Sequence, residues 1–214
     1  MALSALNPSL RRIPVWTLWL AGLAPAVWLF WLALSGSLGV EPIKELEHRY
    51  GELALQFFIA TLAVTPLRRF VGLNLLKFRQ ALGLLTFSYV LCHLLVWLLL
   101  DVQIPSQIIA DILKRPYITV GMAAFVLLIP LAVTSNKASI RKLGSTWRRL
   151  HKLSYPAAVL AALHFVLLAK GFQIEPLLYL GGIIVLLLLR LKLPGRIRAP
   201  DRIRRRFGAA DSAR

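Results

Sequence analysis

Three stretches of this chain, Val15–Leu34, Gln80–Leu100 and Pro116–Asn136, contain no Asp, Glu, Lys or Arg. Each is as long as the roughly 20 apolar residues that a helix needs to cross the hydrocarbon of a bilayer. Backbone amides in hydrocarbon must find their partners within their own segment, so such a run folds as a helix. Leu153–Ala169 is nearly as long and carries one histidine. Leu53–Leu67 and Pro176–Leu189 are shorter, but Glu52, Arg68, Glu175 and Arg190 flank them and can snorkel toward the interfaces. The expectation is an all-α integral membrane protein, a bundle of six transmembrane helices at approximately 15–35, 51–67, 79–100, 116–135, 149–169 and 174–191. These form one domain over 1–193, followed by a basic tail over 194–214.

Composition agrees. Hydrophobic residues make up 58% of the 214 and charged residues 16%, against about 25% charged in soluble domains. The first apolar run follows Arg11 and Arg12. It exceeds the about 7–15 residues of a signal-peptide core, so a retained helix is expected. The single cysteine, Cys92, excludes a disulfide framework within one chain.

A net charge of +17 would suit nucleic acid, but the basic residues sit in short runs between apolar stretches. That is the way a membrane protein marks its cytoplasmic loops. With the N-terminus inside, the inner segments hold 21 of the 26 basic residues, including Arg68, Arg69, Lys77 and Arg79, and Lys137 to Lys152. The outer loops hold seven of the nine acids. Both termini are therefore expected in the cytoplasm, with the basic tail against anionic lipid. The polar outer loop 36–51 is expected to carry a short helix across Ile43–Tyr50.

Ionisable residues inside a span are rare and mark function. His93 lies about 10 Å below the outer end of the third helix and His164 about 8 Å below that of the fifth. Two neutral imidazoles at one depth, on helices running the same way, can clamp a heme iron from both faces. Ala157, Ala158, Ala161 and Ala162 beside His164 leave room for a flat cofactor, although small residues equally let helices approach in lipid. His151 lies about 20 Å along the fifth helix from His164; it is a candidate for a second heme, or for a propionate, flavin or quinone contact. His48, before the second helix, is a further candidate for heme or partner contact. A proton-coupled transporter is the rival from another class. It would need carboxylates beside the histidines, and every acid is expected at or beyond a helix end.

An ordered set of motifs runs through the chain: Ala60-Thr61-Leu62-Ala63-Val64-Thr65-Pro66-Leu67; Leu82-Gly83-Leu84 through Phe87, Tyr89 and His93; Arg115-Pro116-Tyr117 and Gly121; Thr134-Ser135; and Arg141-Lys142-Leu143-Gly144 with Trp147, Leu150, His151, Tyr155 and His164. In this set the chain resembles the MsrQ (formerly YedZ) family. These are heme-binding membrane subunits of the periplasmic protein-methionine-sulfoxide reductase system, within the ferric-reductase-like transmembrane superfamily. The resemblance implies heme b held by His93 and His164, with His151 as a further ligand candidate. It also implies bound FMN, a periplasmic molybdopterin reductase as electron acceptor, and the quinone pool or a cytosolic flavin reductase as donor. The location implied is the bacterial inner membrane. With no G-x-G-x-x-G after a strand pattern, hydride chemistry is expected on another protein. The chain itself is then an electron-transfer subunit of an oxidoreductase complex.

Overall fold

A computed structural model describes residues 6–169 and 172–191; the expected basic tail 194–214 lies outside them. The described residues are helical with short connections. Ten α-helices follow one another: α1 (Asn7–Arg12), α2 (Val15–Leu34), α3 (Pro42–Pro66), α4 (Arg79–Val96), α5 (Pro105–Lys114), α6 (Pro116–Val133), α7 (Lys137–Leu143), α8 (Ser145–Leu150), α9 (Ser154–Leu168) and α10 (Ile174–Arg190). A π-helical turn extends α3 over Leu67–Val71 and another extends α4 over Trp97–Val102; a 3₁₀ turn at His151–Leu153 joins α8 to α9.

Among the described residues, five stretches are long and apolar enough to cross a membrane: Val15–Leu34, Pro42–Val71, Leu76–Val102, Pro116–Val133 and Ser145–Leu168. The sixth expected span forms α10, whose 17 residues reach about 26 Å. The largest departure from expectation is α3. The short helix at Ile43–Tyr50 and the span from residue 51 are one helix that begins at Pro42. Proline at the first helical position is pre-set for a start. The next turns carry i,i+4 pairs, Arg49 on Glu45 at 2.7 Å and His48 on Glu52 at 3.1 Å, which suit a helix with a wet end. Glu45, Glu47 and Glu52 consequently lie inside a helix. That corrects the expectation that every acid sits at or beyond a helix end.

The bundle is built from two pairs. The α3 helix packs chiefly on α4, and α6 on α9; α10 lies against α9 and α3, and α2 lies outside α3 and α4. Leu55, Phe58 and Leu62 of α3, Leu128 and Leu131 of α6, Ala157, Ala158 and Ala162 of α9, and Ile183 of α10 form the central core. Those three alanines have no exposed surface. They act here as small residues that let helices approach, and approach in lipid means dispersion contacts and not water exclusion. Large apolar side chains such as Trp16, Leu20, Trp28 and Val126 point outward, as lipid-facing surfaces do.

Prolines free carbonyls that other groups take up. Pro66 has no N–H for the carbonyl of Leu62. Arg190, at the end of α10, donates to that carbonyl from Nη2 at 2.6 Å and Nε at 3.0 Å, and to Thr61 O at 3.2 Å. The α2 helix has Gly22 as its one buried residue. It is tied down by the Tyr89 hydroxyl on Gly22 O at 2.7 Å and the Tyr50 hydroxyl on Ala26 O at 2.8 Å.

Charge segregates by end. Lys77 donates to Arg11 O and Ile13 O, Gln80 to Ser135 O, and Arg69 to Leu191 O. These bonds gather the basic connections and α1 at one end of the bundle. Glu41, Glu45, Glu47, Glu52, Asp101 and Asp111 border a cavity at the other.

Candidate functional site

That cavity, about 820 Å³, opens between α3, α4, α6 and α9. It is within the range of small-molecule and cofactor sites, about 300–1,000 Å³. His93 comes to it from α4 and His164 from α9, so two residues 71 positions apart in sequence share one chamber. Their ring centroids are 6.2 Å apart, with the ring planes at 77°. The common depth expected from the helix rise is therefore met.

Each ring is held from behind by the helix paired with its own. His93 Nδ1 is 2.8 Å from the carbonyl of Glu47 on α3, and His164 Nδ1 is 2.7 Å from the carbonyl of Tyr117 on α6. A carbonyl only accepts, so both Nδ1 atoms carry the proton. A neutral imidazole held in this way has a bare Nε2, and neither Nε2 has a hydrogen-bond partner among the described residues. Two metal–imidazole bonds of about 2.0–2.1 Å, with the half-widths of the two rings, account for the observed separation. The pair leaves room for one metal atom. Among the described residues no cluster of three or more His, Cys, Asp or Glu is placed to hold a metal. A metal here would need equatorial ligands from a cofactor, which the cavity can accommodate.

A glycine stands behind each ring. A Cβ on Gly51 would meet His93 Nδ1 at 3.3 Å, and one on Gly121 would meet His164 Nδ1 at 2.8 Å. Neither these glycines nor the two carbonyls stand out to a reading of the histidines alone. The signal that finds them is a register: Glu47 precedes His93 by 46 residues and Tyr117 precedes His164 by 47, each with glycine four residues on.

His48 also lines the cavity. It sits on α3 and not in a loop, its ring 5.7 Å from that of Phe165 and its Nε2 on Glu52. Neither carboxylate nor His48 bonds to His93 or His164. Of the four alanines expected to leave room for a cofactor, only Ala161 lines the chamber. At the mouth, Arg115 donates to the Tyr117 hydroxyl at 3.0 Å and pairs with Asp111 at 3.1 Å. Both contacts, the tyrosine first, push the guanidinium pKa further up, so it stays charged.

His151 is placed elsewhere. It stands in the 3₁₀ turn before α9, outside the cavity lining. Its Nε2 is 3.1 Å from Thr134 Oγ1, and the Trp147 ring stacks on it at 3.9 Å. Trp147 in turn donates to Thr134 O at 2.9 Å. Cys92 is free and partly buried, packed beside Tyr50 and Tyr89.

Residues 48–162, more than half of the chain, match the family described as ferric reductase like transmembrane component. Among similar proteins is the protein-methionine-sulfoxide reductase heme-binding subunit MsrQ of Agrobacterium fabrum, 47% identical over 195 residues, 91% of each chain. The subunits of the same name from Brucella anthropi and Brucella ovis are each 49% identical over 181 residues, 84% of this chain and 82% of theirs. No solved structure gives a significant match.

Proposed function

The chain belongs to the MsrQ family of ferric-reductase-like transmembrane proteins, and on that premise we propose that it holds heme b between His93 and His164 and relays electrons across a membrane to a methionine-sulfoxide reductase. The observation that carries this reading is the pair of bare Nε2 atoms on rings 6.2 Å apart across one cavity. His93 and His164 would hold the heme, which would supply reversible one-electron chemistry; with both imidazoles engaged, no position would remain for oxygen.

The chain's own residues do the rest. The carbonyls of Glu47 and Tyr117 fix the tautomer of each ligand and raise its basicity. The apolar helices around the chamber keep the dielectric low. Lys44 and Arg115 at the mouth offer positive charge toward carboxylates such as propionates.

The finer reading keeps α10 as a sixth span, tilted little or matched by local thinning of the bilayer. The basic end, with α1, α7 and α8, faces the cytoplasm of a bacterial cell, and the domain spans 1–193. The cavity then opens to the periplasm, where a soluble molybdopterin reductase accepts electrons. The donor is the quinone pool or a cytosolic flavin reductase. FMN is proposed from the family, with exposed Arg141, Lys142, Arg148 and Arg149 as the charge that suits its phosphate. His151 is the remaining candidate ligand at the basic end, and His48 a minor contact at the acidic one.

The test is a reduced-minus-oxidised absorption spectrum of the detergent-purified protein, with heme and flavin quantified on the same sample. Sharp b-type bands lost in both His93→Ala and His164→Ala are expected. A colourless parent protein prepared with heme supplied would overturn the proposal.

A further inference from the structure

Resting on that heme reading, we infer that Gly51 and Gly121 are positioning residues: each uncovers a carbonyl in the wall of its helix so that an axial imidazole can dock there by Nδ1. In an α-helix the carbonyl of residue n already accepts from the N–H of residue n+4. Glu47 is bonded this way to Gly51, and Tyr117 to Gly121. A second lone pair remains on each oxygen. It is normally screened, because the side chain of residue n+4 leans back over the turn that precedes it. Glycine alone leaves that turn bare. The rings use the opening to reach 2.8 and 2.7 Å from oxygens lying in a helix surface.

The ordinary role of glycine in membrane helices is to let two helices come together, and the other glycines provide the contrast. A Cβ on Gly22 would strike Leu85, and one on Gly83 would lie 3.8 Å from Thr61, while Gly181 and Gly182 face nothing within 4 Å. Among the described glycines of the spanning helices, Gly51 and Gly121 alone have an imidazole as the nearest neighbour. The device occurs twice at the same n, n+4 spacing, once in each helix pair. It is therefore matched to the two ligands and not to one local packing accident. It fixes three properties of each ligand: the tautomer, the tilt of the ring against the helix, and the near-perpendicular relation of the two planes, 77°. Perpendicular axial imidazoles bring the two upper iron π orbitals close in energy, so the ferric form should give a strongly anisotropic low-spin resonance.

The experiment uses the full chain in detergent, loaded with heme, and compares Gly51→Ala, Gly121→Ala and, as a control, Gly83→Ala. The readouts are the heme-to-protein ratio, the ferric electron paramagnetic resonance spectrum and the midpoint potential. Gly121→Ala, with the tighter clash, is expected to lose most of its heme or to turn high-spin. Gly51→Ala is expected to keep heme with altered low-spin g values. Its weakened Nδ1 bond makes the ligand less basic and raises the potential. A tenfold shift in the ferric-to-ferrous ratio is the expected scale, about 59 mV for one electron. Gly83→Ala is expected to match the parent in all three. If Gly121→Ala does not accumulate in membranes, Gly51→Ala decides. The inference is overturned if Gly51→Ala keeps the parent ratio, spectrum and potential. A parent that binds no heme overturns the proposed function itself, whereas a parent with a bis-histidine spectrum beside unchanged glycine variants overturns the glycine assignment alone.

Discussion

The two ends of the bundle treat a partly buried histidine in opposite ways. At the acidic end, His93 and His164 give Nδ1 to backbone carbonyls and turn Nε2 to a chamber. At the basic end, His151 has Nε2 on a threonine hydroxyl and one face under a tryptophan. All three are partly buried on or beside spanning helices, so exposure does not separate them. The difference is which nitrogen the fold leaves free. A carbonyl anchor places the proton on Nδ1 and so leaves a neutral ring with a bare Nε2, whereas the Thr134 hydroxyl gives its one proton to Pro130 O at 2.6 Å and accepts from Nε2–H of His151.

The largest test of this contrast removes the ligands. His93→Ala or His164→Ala should abolish the main heme absorption, read as a reduced-minus-oxidised spectrum; retention in either breaks the comparison. Next comes His151→Ala, expected to leave the bands of the His93–His164 site intact. The heme-to-protein ratio of the same variant sharpens the contrast, because a fall against the parent would show Nε2 of His151 leaving Thr134 for a metal. Arg190→Ala should leave the carbonyl of Leu62 without its partner, at a cost of roughly 1–3 kcal/mol for a buried unsatisfied group. A lower melting temperature in detergent with an unaltered spectrum from the His93–His164 site is the expected result. The smallest effect belongs to His48→Ala, whose side chain is exposed and paired with Glu52. At most partial loss of heme is expected, by pyridine hemochrome titration.

Much of the acidic end was legible in the sequence because its signals are about depth. Apolar runs locate the helices to within a few residues, and the helix rise alone brings His93 level with His164. Two kinds of information were hidden. The helix over Ile43–Tyr50 was expected, but its continuity with the span was not, because hydropathy reads contact with lipid and not helicity; Pro42 and pairs such as Glu45–Arg49 start the one long helix at its polar end. The glycines were hidden for another reason. Gly51 and Gly121 matter through the side chain of a residue on another helix, and one sequence read along its length carries no mark of who lies opposite. The alanines of α9 show the converse. Their smallness is plain in the sequence, but whether it serves a cofactor or a neighbouring helix is decided by facing, and Ala157, Ala158 and Ala162 face helices.

The attachment of α2 has a consequence of its own. Two tyrosine hydroxyls grip its main chain at Gly22 and Ala26, and its side chains mostly look outward. A helix gripped by its peptide groups is recognised by position and not by composition. The constraint on α2 then lies at Gly22 and where Val15, Leu18, Ala26, Leu29 and Ala33 pack on the core, and the freedom to vary lies on its outward face.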